Sequence, residues 1–181
     1  MLPMSQMHGR VFLLHLQTAF LLGLFGATIS IQAANPDEKQ LVEVLRSNRA
    51  LNVAAAVGQR LPAHATASGK VFMAYLPSTE LDLILKQPLK AFTQNTLTSA
   101  DDLCNALEQV RSQGYGVDME EFEEGIRAIA VPIFNRQGQV MAAMGAPIPV
   151  SRIALERIGE IAEAYKKTAG AISRRMGWNR S

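Results

Sequence analysis

IRAIAVPIFNRQGQVMAAMGA, residues 126–146, is two apolar runs parted by a short polar turn. Ile126 to Phe134 and Val140 to Ala146 each read as an apolar strand, and Asn135, Arg136, Gln137 and Gly138 supply turn chemistry between them. Two such strands joined by so short a turn make an antiparallel hairpin. Pro132 brings no N–H to a sheet, so the first strand is expected at an edge or with a bulge.

Working outward, Ser99 to Ser112 is the clearest amphipathic helix. Leu103, Leu107 and Val110 form its apolar stripe, Asp101 and Asp102 sit at its positive end, and Gly114 stops it. Further upstream, Thr66 opens a helix with Val71, Phe72, Tyr75 and Leu76 at core spacing, and Ser78 is a candidate cap for another. Downstream, Ile153 to Met176 reads as one long helix with Ile158, Ile161, Tyr165 and Ile172 inward. Toward the start, Thr28 to Gln32 and Gln40 to Arg46 alternate as half-buried strands about a turn at Asn35-Pro36-Asp37-Glu38, and Leu51 to Val57 is a third apolar segment ended by Gly58. Strand-rich ends around a helical middle imply an α+β fold with a largely antiparallel sheet.

The 181 residues suit one domain, or one domain with a short arm. With 48% apolar and 19% charged residues, disorder and collagen-like repeats are excluded. A lone Cys104 rules out an internal disulfide and a cysteine-clustered zinc site, and His8, His15 and His64 are too scattered for a histidine-rich one. A net charge of +2 is too mild to argue for nucleic acid. The first residues carry a second possibility. No charge falls between Arg10 and Asp37, and 14 of the 21 residues from Val11 to Ile31 are apolar, as in a signal peptide or membrane anchor. His15, Gln17, Gly23 and Gly26 interrupt that run, and its last part alternates like a strand.

Chemistry concentrates in LPAHATASGK, residues 61–70. A phosphate loop fails here, because His64 stands where the first glycine belongs and Val71 where Ser or Thr belongs. A Ser-x-x-Lys nucleophile fails too, since Ser68 is two residues from Lys70. Two readings remain open: an ordinary capped helix start, or an anion site on the N–H groups of Ala67, Ser68 and Gly69. Cys104 falls beside Leu103 and Leu107, which favours a core or half-buried thiol over a nucleophile paired with His64. Asp118, Glu120, Glu121, Glu123 and Glu124 would suit paired catalytic carboxylates or a hard metal, but mostly read as a solvated loop, with Asp118 the one positioned to point back into the sheet. The basic last helix lacks interleaved aromatics and reads as a solvated face.

Three motifs in order, LPAHATASGKVFMAYLP, VRSQGYGVDMEEFEEGIRAIAVPIF and PVSR ahead of a long helix, resemble the effector-binding domain of the IclR family of bacterial transcriptional regulators. The resemblance runs from about Gly26 to Met176 and divides the chain into an apolar arm or linker-helix remnant, residues 1–25, and a domain, residues 26–181. It implies a GAF-like fold, an antiparallel sheet with helices packed on one side, that binds a small organic acid. The implied carboxylate donors are the N–H groups of Ala67 and Ser68, with apolar walls at Val53, Leu61, Ile126 and Ala128 and a polar contact at Asp118. Better-known members present serines on the last strand, where this chain has Gly145 and Pro147, so a bulkier acid than glyoxylate or pyruvate is expected beside Gly145. The family's regulators carry a winged helix-turn-helix ahead of this domain; it has no counterpart here, so DNA is expected as a partner only through a winged helix outside these residues. A cytoplasmic homo-oligomer is expected, with no catalytic residue, cofactor or metal. The competing readings are an exported or membrane-anchored small-molecule-binding protein using residues 1–34, and a small hydrolase or transferase using Cys104 or the acidic run.

Overall fold

The hairpin forms, and it lies at the middle of the sheet. In a computed structural model that describes residues 29–34, 39–45 and 61–179, five strands are present: β1 (Ile29–Ala34), β2 (Lys39–Leu45), β3 (Gly116–Met119), β4 (Ile126–Phe134) and β5 (Val140–Pro149). Their order is β2-β1-β5-β4-β3, and every neighbouring pair is antiparallel. The arm, the third apolar segment with Val53, and the stretch read as a signal or anchor lie outside the described residues, except that its end forms β1.

Local chemistry explains the turn. The Oδ1 of Asn135 accepts from the N–H groups of Gln137 and Gln139 at 2.9 and 3.0 Å, and Gly138 takes φ 79°, a conformation that favours glycine. β5 continues past Ala146 to Pro149, opposite Ile126. Pro132 sits in an internal strand, yet its position is locally an edge. Four-residue β3 ends with Gly116 opposite Ala130, so no β3 residue stands opposite Pro132, and the β4–β5 register shifts just beyond it at Ile133/Phe134.

Four helices complete the described residues: α1 (Ala67–Ala74), α2 (Ser78–Leu85), α3 (Ala100–Gln113) and α4 (Ile158–Arg175). α3 is capped as its sequence implies. Ser99 accepts from the N–H of Asp102, Gly114 closes the helix at φ 78°, and Leu103, Leu107 and Val110 are buried. Two boundaries differ from expectation. Pro77, not Ser78, holds the cap position of α2, with its carbonyl accepting from Glu80 and Leu81 at 3.0 Å each. α4 starts at Ile158 rather than Ile153, because 3-10 turns at Val150–Arg152 and Leu155–Arg157 carry the chain around a buried Ile153.

The α+β antiparallel architecture is as expected, and the helices occupy both faces of the sheet, not one. Ile129, Val131, Ile133, Met144 and Ile148 pack against Ile161, Tyr165, Ala169 and Ile172 of α4. The alternate residues Ala130 and Ala143 pack instead against Val71, Phe72 and Met73 of α1 and the stripe of α3. Large side chains meet α4; small ones let α1 come close. All eight residues of α1 are consequently buried.

Candidate functional site

α1 starts where its sequence says it should. Thr66 is extended at φ −120°, its Oγ1 accepts from the N–H of Gly69 at 3.2 Å, and the same hydroxyl donates to the Pro62 carbonyl at 2.9 Å. The first intrahelical bond runs from the N–H of Lys70 to the Thr66 carbonyl, so the N–H groups of Ala67 and Ser68 precede it at the positive end of the helix. Gly69 has a different part from the one expected. Its N–H serves the cap, and a Cβ there would lie 1.9 Å from the Ala63 carbonyl oxygen, so glycine is required by the closeness of the preceding loop.

The sheet brings the other candidates under this helix. Asp118 stands opposite Ala128, and Ala128 opposite Pro147; Ile126 and Gly145 lie two residues away along the same strands. Cross-strand partners and alternate residues share a face, so Asp118, Ile126, Ala128, Gly145 and Pro147 all lie on the α1 face. Ala128 belongs to the cluster packed with α1. Leu61 is half-buried in the loop ahead of Thr66. Val53 lies outside the described residues. Gly145 lies close to the neighbouring strand: a Cβ there would meet the Ile129 carbonyl oxygen at 2.8 Å and the Ala130 Cβ at 3.0 Å.

Two polar residues complete the arrangement: Lys70, which the sequence weighed only in motifs that fail, and Glu121, which it placed in a mostly solvated acidic run. Lys70, in the second turn of α1, is 3% exposed, and its Nζ donates to Oε1 of Glu121, whose side chain is 6% exposed. The same oxygen accepts from the N–H of Met119 at 3.2 Å, and the N–H of Glu121 donates to Oδ1 of Asp118 at 2.7 Å. The other carboxylate oxygen of Glu121, Oε2, is buried with no hydrogen-bond partner among the described residues. Burial chiefly, with the neighbouring Glu121 charge, pushes the Asp118 carboxyl up to about 7, against the opposing pull of the Glu121 N–H and of Lys70.

The acidic run is therefore only partly a solvated loop. Glu123 and Glu124 are exposed, Glu120 turns away at φ 64° to pair with Arg127 at 3.2 Å, and Asp118 and Glu121 are inside. The segment 92–96 fastens it. Thr93 Oγ1 donates to the Glu120 carbonyl at 2.7 Å, and Thr96 Oγ1 donates to the Glu121 carbonyl at 2.6 Å. His64 is engaged with the Lys90 carbonyl at 2.9 Å and tilts against Phe92, while Cys104 is half-buried on α3. No group of three His, Cys, Asp or Glu side chains placed to hold a metal exists among the described residues.

Comparison with known proteins bears on this arrangement. The family model described as "Bacterial transcriptional regulator IclR C-terminal" matches residues 15–174. The HTH-type transcriptional regulator KdgR of Escherichia coli is 38% identical over 153 residues, which cover 84% of this chain and 58% of that protein. The chain spans between 50% and 61% of the length of the first curated relatives it matches. Among solved structures, the C-terminal domain of E. coli KdgR superposes with a TM-score of 0.81 at 35% identity, covering 93% of this chain and 99% of that one. The inducer binding domain of the transcription factor PobR from Acinetobacter, solved as a double mutant in complex with 3-hydroxybenzoic acid, gives a TM-score of 0.77 at 29% identity, covering 85% of this chain and 91% of that one.

Proposed function

Since the chain belongs to the family of bacterial transcriptional regulator IclR C-terminal domains, we propose that it is an effector-binding module that takes a small organic acid against the start of α1. The observation that carries this reading is the placement of a Thr66-capped helix N-terminus over a sheet face made of small residues and a buried carboxyl, Asp118. A helix start offers roughly half a positive charge and N–H donors, so a carboxylate can be held by Ala67 and Ser68 without a dedicated arginine. Ile126, Ala128 and Leu61 supply apolar wall. The carboxylic acid bound by the PobR domain is a precedent for that chemistry on this fold.

In this reading the module senses and does no chemistry, in keeping with relatives that are transcriptional regulators. It self-associates in the cytoplasm, and DNA contact belongs to a winged helix outside these 181 residues. Among the described residues no helix is long and apolar enough to cross a membrane. Light scattering at micromolar concentration tests self-association, where a monodisperse monomer refutes it. A gel shift tests DNA, where salt-resistant, sequence-selective binding refutes that part.

Thermal-shift or calorimetric titration with aliphatic and aromatic carboxylates tests the ligand reading. Ser68→Pro removes one donor N–H in the first helical turn, where proline is tolerated, and is expected to abolish binding. If no acid raises the melting temperature of the wild type, the reading is wrong.

A further inference from the structure

Residues 90–96, between α2 and α3, bridge two loops at the β3 edge of the sheet. On one side His64, in the loop that enters α1, donates from Nε2 to the Lys90 carbonyl at 2.9 Å. On the other, Thr93 and Thr96 donate to the carbonyls of Glu120 and Glu121, and Asn95 Nδ2 donates to the Met119 carbonyl at 3.4 Å. The Phe92 ring meets that of Phe122 edge-on at 5.4 Å. Among the described residues, every hydrogen bond that ties the segment to the rest of the chain uses a side chain. Its one backbone-to-backbone bond, from the Thr96 N–H to the Thr93 carbonyl at 3.4 Å, is internal. The flanks differ. Leu89 and Leu97 pack against the cluster of α1 and α3, while Lys90, Ala91, Phe92, Gln94 and Asn95 between them are exposed.

A segment held in this way can come away without breaking a strand pair or a helical turn, and such segments open more readily than the sheet beneath them. Each of its side-chain bonds has a modest net worth, because the groups it frees regain water. Resting on the reading of α1 as the effector site, we propose that residues 90–96 are a strap that swings as a unit about Leu89 and Leu97 and gates passage between solvent and the start of α1. Closed, it ties the loop that enters α1 to the loop that leaves β3. Open, it releases both loops at the sheet edge, where no described strand lies beyond β3, and leaves the β4–β5 hairpin untouched. Thr96 is its catch. One hydroxyl donates to the Glu121 carbonyl and accepts from the N–H groups of Phe92 and Thr93 at 2.9 Å each, so the strap's own fold and its attachment depend on the same atom.

The test is amide hydrogen exchange of the whole 181-residue chain, read by NMR, alone and with acetate, lactate, benzoate and 3-hydroxybenzoate as probes. The bonded amides of Phe92, Thr93, Asn95 and Thr96 are expected to share one protection factor within about threefold, at least about 100-fold below that of β4 and β5, as one sub-global opening implies. Thr96→Val keeps the shape and removes the catch. It should speed exchange about tenfold even at Asn95 and Thr96, whose own N–H bonds go to Thr93, and leave β4 and β5 unchanged. Should that variant not fold, Thr93→Val should do the same at Phe92 and Thr93, whose N–H bonds go to Thr96. An acid that binds should protect residues 90–96 together with Ala67 and Ser68, since a gate closes behind its ligand. Exchange at 90–96 as slow as in β4 and β5, or unchanged at those reporter amides in whichever variant folds, overturns the strap. Protection of Ala67 and Ser68 without 90–96 overturns the gate and leaves the α1 site standing. Binding of none of the four acids overturns the gate together with that site.

Discussion

The two faces of one hairpin have opposite chemistry. Toward α4, β4 and β5 present Ile129, Val131, Ile133, Met144 and Ile148, which meet apolar side chains and are 3% exposed or less. Toward α1 they present Ala128, Ala130, Ala143 and Gly145, and beside them stand Asp118, Glu121 and Lys70, all buried. The first face gains from filled volume and dispersion. The second gives up side-chain volume so that a helix N-terminus and three ionisable groups can be brought inside. Both faces carry a buried apolar cluster, and the α1 face buries Asp118, Glu121 and Lys70 as well.

The largest expected break in this contrast is Glu121→Ala. It leaves the Lys70 ammonium buried and alone, and loss of one partner of such a pair costs about 3–5 kcal/mol. Urea denaturation should show that loss, unless Lys70 is changed to Met at the same time, when most of the stability should return. A loss under about 1 kcal/mol for the single variant would mean that the pair is solvated.

On the opposite face, Met144→Ala empties a fully buried site and should cost about 2–5 kcal/mol, through lost transfer energy plus the cavity left behind. Acid binding, corrected for the folded fraction, should be unchanged. Altered ligand preference in this variant would undo the division of labour between the faces. Gly145→Ala comes next at about 1–3 kcal/mol, since its Cβ would press on the Ile129 carbonyl of a strand already paired with it. A neutral result would mean that β5 can move away from β4 there.

What the sequence makes legible follows from range. The hairpin turn, the Thr66 and Ser99 caps and the Gly114 stop are written in a few adjacent residues, and each stands where local chemistry puts it. The start of α4 is not local. Ile153 is drawn out of the helix by burial against the sheet, which periodicity alone does not report. The division of helices between two faces is hidden because β4 is apolar on both sides and so shows no alternation. Asp118, Ile126 and Ala128 could be carried over from a resemblance of motifs, but the Lys70–Glu121 pair joins residues 51 positions apart. A lysine among Val71, Phe72 and Met73 is the one hint, since a cation in a buried helix must have a partner.

The smallest effect per step, and the one that separates the faces most cleanly, is the pH dependence of stability. Asp118 titrates at about 7 in the folded chain against an ordinary 3.8, because burial on the α1 face disfavours its charged form. Between those values the folded chain keeps a proton that the unfolded chain has released. The stability that this proton confers is complete below about pH 4, and it is lost as pH rises through 7, with a slope no steeper than about 1.4 kcal/mol per pH unit for one group. Asp118→Asn keeps the shape and has no proton to lose, so the difference in unfolding free energy between it and the wild type should shift in the variant's favour from pH 4 to pH 8. Denaturant melts at pH 4, 5.5, 7 and 8 measure that difference directly, and taking it against the variant cancels the contribution of every group the two chains share. A difference that stays flat across the range would mean that Asp118 ionises as a surface carboxylate does, and the α1 face would then be as open to water as the α4 face is closed to it.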